Sequence, residues 1–167
     1  IRLEQRSYAG GILDELEGVA GPRVRVEVAR AWTALERYGR ASDLLDEIVS
    51  AADISKNTHA EALLTKSQLA MASRGDAREA YELAERASGL APENGEAIGR
   101  MLTLAYTLNG ERAEEIRDRA TERAISALPP GHPVSVVARV RRLISDQRQV
   151  VALRVLEQAA ESRPPNA

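Results

Sequence analysis

Residues 61–94 read EALLTKSQLAMASRGDAREAYELAERASGLAPEN, and this stretch decides the fold. Its Gly75-Asp76 pair is typical of one helix ending and the next beginning, because glycine adopts the left-handed conformation and aspartate caps free N–H groups. Apolar residues recur three and four positions apart beside this pair, as on one face of a helix. After the pair, that face consists of Ala77, Ala80, Tyr81, Ala84, Ala87 and Leu90. The stretch therefore predicts a helical hairpin.

The composition of the whole chain favours helices as well. Aromatic residues make up 3% of its 167 residues, Phe is absent and alanine is the commonest residue. Because aromatic and β-branched residues favour strands and alanine favours helices, we predict an all-α protein. The predicted helices span residues 2–19, 23–37, 40–52, 57–73, 76–90, 94–108, 111–127, 133–146 and 148–162.

Local signals mark several of these boundaries. Asn57 or Thr58 is predicted to cap the fourth helix, Asp76 caps the fifth, and Pro133 suits the first turn of the eighth. The Gly10-Gly11 pair interrupts the first predicted helix and is expected to weaken it there.

The breaks between helices recur at a regular spacing. Gly39, Gly75 and Gly110 lie 36 and 35 residues apart, and Pro92, Pro130 and Pro164 follow second helices at separations of 38 and 34 residues. A period near 34 residues, with one hairpin in each period, indicates a stacked helical array whose units share a core. We predict one domain, 1–167, with a partial N-terminal unit at 1–22 and hairpins at 23–56, 57–94, 95–131 and 132–167.

The hairpin at 61–94 resembles the tetratricopeptide repeat (TPR). Leu64 lies at the place early in the first helix that is usually aromatic, Gly75-Asp76 matches the turn, and the two small residues of the second helix are Ala80 and Ala87. The unit at 134–167 matches more loosely, and it places Val137, Val140 and Ile144 at core positions of the first helix, Ala160 at the second small position and Pro165-Asn166 at its end. Residues 25–58 and 96–130 fit with shifts of a few positions. The resemblance implies a right-handed α-solenoid of antiparallel hairpins.

Several classes of protein are disfavoured by composition. The chain has 23 basic and 25 acidic residues, so it lacks the basic surplus of a nucleic-acid binder. It has no cysteine for thiolate chemistry or metal ligation, and no apolar run of the length that spans a membrane. The two histidines, His59 and His132, are far apart and are expected at a helix start and in a turn. No nucleophile or phosphate-binding motif is present, so no enzyme activity and no cofactor are predicted.

The candidate site is a surface. The resemblance places the first helix of each hairpin on a concave face, with matched positions of successive hairpins side by side. Its groove residues are then Arg30, Thr33 and Arg37; Thr65, Lys66 and Leu69; Arg100, Met101 and Leu104; and Ala138, Arg139 and Arg142. Arg30, Lys66, Arg100 and Arg139 would form a basic column beside an apolar strip of Leu69, Met101 and Leu104.

Such a groove suits an acidic peptide segment or a partner protein, because arginine binds carboxylates through two hydrogen bonds. The alternative is that these are solvated charges paired with Glu27, Glu36 or Glu96. The single tryptophan, Trp32, is expected in the core rather than in a ligand site.

We therefore predict a non-catalytic protein-interaction module within a longer, cytoplasmic protein. Two alternatives remain open. One is a sensor domain of a larger transcriptional or signalling regulator. The other is a self-association unit, in which the apolar N-terminal end forms a homodimer while Arg154, Gln158 and Glu161 cap the C-terminal end. The N-terminal residues concerned are Ile1, Leu3, Ile12, Leu13 and Leu16.

Overall fold

A computed structural model describes the backbone of residues 2–162 and the side chains of residues 8–162. The predicted all-α class is confirmed, since this part of the chain forms nine helices and no strand. The helices are α1 (Arg2–Val19), α2 (Pro22–Ala34), α3 (Tyr38–Ser50), α4 (Lys56–Arg74), α5 (Ala77–Leu90), α6 (Gly95–Ala105), α7 (Ala113–Ala127), α8 (Pro133–Ser145) and α9 (Gln149–Glu161).

Most helix starts follow the sequence signals. The Asp76 side chain accepts a hydrogen bond from the Glu79 N–H, and Pro133 opens α8, both as predicted. The predicted cap of α4 is wrong by two or three residues, because Ser55 is the cap and accepts from the Thr58 N–H. Helix α1 is continuous through Gly10-Gly11, so these glycines do not interrupt it.

The chain divides into two compact units, Ile1–Ala91 and Pro92–Ala167. In the first unit each helix packs against the next, and α2 also packs against α4. In the second unit α6, α7, α8 and α9 pack in the same consecutive way, and α6 also packs against α8. The boundary falls close to the predicted end of the second hairpin.

The core of the first unit is built on α2 and α3. Trp32 belongs to this core at 3% exposure, as predicted, and the TPR-matched Leu64, Ala80 and Ala87 are buried too. The second unit departs from the prediction, because Val137 and Ile144 are 43% and 52% exposed rather than buried. Ala160 is exposed as well, while Pro165-Asn166 lies outside the described residues.

The turn inside each of the four hairpins contains one residue with positive φ. It is a glycine in two hairpins, Gly75 and Gly110, and Glu36 (φ 62°) or Gln147 (φ 58°) in the others. The expected glycine of the first hairpin, Gly39, lies instead within α3. In the α2–α3 turn the Glu36 N–H donates to the Thr33 carbonyl and the Arg37 N–H to the Trp32 carbonyl, at 3.0 and 2.9 Å. These two bonds form a Schellman motif, whose geometry places Glu36 in the left-handed region.

Candidate functional site

The predicted groove residues of the first unit come from neighbouring helices. Arg30 on α2 donates from Nε to Thr65 Oγ1 on α4 at 3.1 Å, so these two predicted groove residues are in contact. Thr65 is fully buried and also donates to the Glu61 carbonyl at 2.9 Å. This hydroxyl therefore fixes the guanidinium of Arg30 against α4.

The charges of this region are paired with exposed carboxylates. Arg30 Nη1 contacts Glu27 Oε1 at 2.9 Å, which is one of the pairings expected for ordinary solvated charges, and Lys66 is paired with Asp46. Of the other predicted residues, Thr33 donates to the Ala29 carbonyl at 2.9 Å and Arg37 is exposed. The carboxylates of both pairs are more than half exposed, so a competing carboxylate from solution can reach the two cations.

The second unit contains the other predicted basic residues. Burial lowers the pKa of Arg100, because desolvation disfavours its charged form. Arg139 donates to the Pro130 carbonyl at 3.5 Å, at the limit of a hydrogen bond, and Arg142 lies 3.8 Å from Asp146. The side chains of α8 thus keep basic groups near the surface.

The predicted apolar strip is not available at the surface. Leu69, Met101 and Leu104 are only 5%, 1% and 2% exposed, and Ala138 is fully buried. Their helical spacing is that of a core face, and packing of neighbouring helices covers them. A ligand of this surface would therefore contact polar and charged side chains rather than these three apolar residues.

A cavity that sequence reasoning does not predict lies between α6, α7 and α8. It measures about 290 Å³ and is lined by Tyr106, Glu114, Arg117, Asp118, Thr121, Arg141, Arg142, Ile144 and Ser145. Of these residues, only Arg142 is among the predicted groove positions. Tyr106, Arg117 and Arg141 lie in separate segments of the chain, so no short motif in the sequence signals this cavity.

A larger open cavity in the first unit lies beside Trp32. It measures about 770 Å³ and is lined by residues of α1, α2, α3 and the turn before α3, including Gly10, Asp14 and Arg40. The Trp32 Nε1–H donates to Glu17 at 3.2 Å, and the Arg40 guanidinium lies 4.9 Å from the centroid of the indole. Arg40 is also paired with Asp14, so the polar groups beside the indole have partners.

Neither histidine belongs to a group of three or more possible metal ligands within the described residues. His132 lies just before α8, where Nδ1 accepts from the Val134 N–H at 3.2 Å, in keeping with the predicted turn position. His59 is half-buried rather than solvent-facing, and its Nε2 has no partner in the part of the chain whose side chains are described. Among the helices of residues 2–162, none has the length and apolar character needed to cross a membrane.

Two helices expose rows of apolar side chains. On α1, Tyr8, Ile12, Leu16 and Val19 are 75%, 43%, 38% and 85% exposed. Of the other N-terminal residues predicted to associate, Leu13 packs against the core, whereas the side chains of Ile1 and Leu3 are outside the described part.

Helix α9 carries the second row. It exposes Val150, Leu153 and Leu156, so the expectation that polar residues cover this end is wrong for its apolar face. Arg154, Gln158 and Glu161 are exposed as predicted, but they occupy other positions of the helix.

Comparison with protein-family models, with curated proteins and with solved structures yields no match to the chain. The resemblance to the TPR stays a prediction, carried by the residues that suggested it.

Proposed function

We propose that the chain is a non-catalytic protein-interaction module. It binds a peptide segment or partner protein of acidic character on the concave face of a right-handed solenoid of TPR-like hairpins. The basic residues of the first helices, above all Arg30 and Lys66, hold the partner through charge-assisted hydrogen bonds. No cofactor takes part.

The solenoid is supported within each unit by the order of helix contacts. In a stacked array the first helix of one hairpin packs against the first helix of the next, and the pairs α2–α4 and α6–α8 do so. The recurrence of the left-handed turn at residues 36, 75, 110 and 147 gives spacings of 39, 35 and 37 residues, which fits one hairpin per repeat.

The observation that carries the proposal is the hydrogen bond from Arg30 to Thr65. It joins α2 and α4, the first helices of two successive hairpins, which is how a helical repeat brings its hairpins together. Lys66 follows Thr65 on α4, and its ammonium is paired with Asp46 on α3. Both cations are paired with partly exposed carboxylates, which an incoming acidic segment can displace.

Charge reversal tests this proposal. An acidic peptide library is titrated against the wild type and against a variant carrying Arg30→Glu and Lys66→Glu, and we expect the affinity of the best binders to fall at least tenfold. The matched control is Arg78→Glu. It reverses an exposed arginine that is paired with Glu82 on α5, the second helix of its hairpin, and it should change affinity less than twofold. Equal binding by the wild type and the double variant would show that the proposed groove is wrong, provided that circular dichroism shows both proteins to be folded.

The apolar row on α1 favours a second candidate function, self-association. Four apolar side chains at positions 8, 12, 16 and 19 follow the helical period, as in a helix–helix seam. We expect the mass measured by light scattering to rise with concentration toward a dimer, and Ile12→Glu to keep it monomeric. Leu153→Glu on α9 is the control and should leave the dimer intact. A monomer at every concentration would exclude this function.

A further inference from the structure

The ring of Tyr106 stacks with two guanidinium groups. Arg141 Cζ lies 4.1 Å from the ring centroid and Arg117 Cζ lies 5.9 Å from it, both within the range of a cation–π contact. The Tyr106 hydroxyl shares a hydrogen bond of 3.2 Å with Thr121 Oγ1, which holds the ring at its outer end. Tyr106 and the two arginines therefore form a fixed platform, which we call the Tyr106 platform.

The arginines of the Tyr106 platform have too few acceptors. Arg117 Nη2 donates to the Leu108 carbonyl at 2.7 Å, but its Nε is buried without a partner. Arg141 forms no hydrogen bond or ion pair with any described residue, and its Nη1 is buried. Stacking on a ring satisfies the face of a guanidinium and not the N–H groups in its plane. A buried charged N–H without an acceptor is destabilising, so an acceptor from outside the chain would stabilise this site.

The cavity beside the platform sets the kind of acceptor. Its volume of about 290 Å³ admits one side chain or one chain end rather than a length of peptide. Arg142 adds a third basic group at the rim, while Glu114 and Asp118 supply two negative ones. These two acids would repel a doubly charged phosphate more than a singly charged group, whereas a planar carboxylate matches the fork of an arginine.

We propose that the Tyr106 platform binds a single carboxylate group, carried by a glutamate or aspartate side chain of the partner segment. Arg141 contributes the principal hydrogen bonds, and Arg117 adds charge from the same ring. The inference that a partner segment supplies this carboxylate rests on the proposed function, because that function requires an acidic partner. The site itself rests on the unpaired arginine groups.

NMR of the arginine Nε–Hε groups tests the site directly. The wild-type chain is titrated with a capped tripeptide containing a central glutamate, with its glutamine counterpart, and with an all-alanine tripeptide whose N-terminus is capped and whose C-terminus is free. We expect the Arg141 resonance to move saturably with the glutamate peptide and to stay in place with the glutamine peptide. A larger response to the free C-terminus would assign the carboxylate to a chain end and overturn the side-chain source. Equal responses to the glutamate and glutamine peptides would overturn the carboxylate site.

Two substitutions in the second unit extend the test. Arg141→Gln should weaken glutamate-peptide binding at least tenfold, whereas the control Arg112→Gln should weaken it less than threefold, because Arg112 does not line the cavity and is paired with Glu115. Unchanged binding by Arg141→Gln contradicts the proposal. If Arg141→Gln fails to fold, the wild-type titration still decides.

The outcome is separable from that of the proposed function. If the glutamate peptide leaves Arg141 unmoved while reversal of Arg30 and Lys66 still abolishes binding of the acidic library, the carboxylate site is wrong and the groove stands. If Arg141 binds the glutamate peptide while reversal of Arg30 and Lys66 has no effect, the site stands and the proposed groove is wrong.

Discussion

The hairpins α4–α5 and α8–α9 have the same local plan and bury very different amounts of apolar surface. Both consist of two helices joined by a turn with one left-handed residue. In α4–α5 the large apolar side chains Leu63, Leu64 and Leu83 are buried. In α9 the only buried residue is Ala152, while Val150, Leu153 and Leu156 are exposed. The two hairpins thus have the same local structure but differ in how many of their large apolar side chains are buried.

The helix caps and the turn residues are also more favourable in α4–α5 than in α8–α9. Hairpin α4–α5 has a side-chain cap at both helix starts, Ser55 and Asp76, and glycine at its left-handed position. Hairpin α8–α9 has a cap at His132 but none at Arg148, and it places Gln147 in the left-handed position. The comparison teaches that α4–α5 contributes more to the stability of the fold than α8–α9 does. Of these two hairpins, α8–α9 leaves more large apolar side chains exposed.

The largest expected effect compares two leucines. Leu64→Ala in α4 should lower the free energy of unfolding by about 2–5 kcal/mol, since it removes a fully packed side chain and leaves a cavity. Leu153→Ala in α9 should change it by less than about 0.5 kcal/mol, because that side chain is 57% exposed. Urea unfolding followed by circular dichroism measures both. Similar losses of unfolding free energy in the two variants would show that α9 is covered in solution and that the two hairpins do not differ in burial.

The positions of the helices could be predicted because they depend on local pattern. Seven of the nine helix starts in the described part of the chain fall within one residue of the prediction, since apolar spacing and caps such as Asp76 act over one turn. The exposure of Val137 and Ile144 could not be predicted in this way. Their spacing is that of a core face, but whether a face is covered depends on which helix lies against it.

The candidate site shows the same limit. The resemblance predicted Arg30 and Thr65 as groove residues of two hairpins, and a hydrogen bond joins these two side chains. The prediction of an exposed apolar strip is wrong because the spacing of Leu69, Met101 and Leu104 along their helices is that of a buried core face. The Tyr106 platform could not be predicted because its three residues lie in separate segments of the chain and no short sequence motif links them.

Substitutions at the left-handed turns are expected to have smaller effects of opposite sign. Gly75 has φ +66° and open space where a Cβ would lie, so Gly75→Ala changes the backbone energy alone and should cost about 1–2 kcal/mol of unfolding free energy. Gly89→Ala in α5 is the matched control. A Cβ there also meets nothing within 4 Å, but Gly89 lies within a helix, so the change should stabilise by about 0.5–1 kcal/mol. Urea unfolding measures both, and equal effects of the two substitutions would contradict a left-handed Gly75.

The reciprocal change in the other hairpin is Gln147→Gly. Glycine removes the left-handed strain at φ 58°, but its freedom in the unfolded chain offsets part of the gain, so we expect stabilisation of up to about 1 kcal/mol. The Gln147 N–H donates to the Ile144 carbonyl at 3.0 Å and the Arg148 N–H to the Leu143 carbonyl at 2.7 Å, and neither bond depends on the side chain. Thermal unfolding measures the shift. Destabilisation by Gln147→Gly would mean that this turn is not left-handed in solution, and the shared plan of the two hairpins would then be lost.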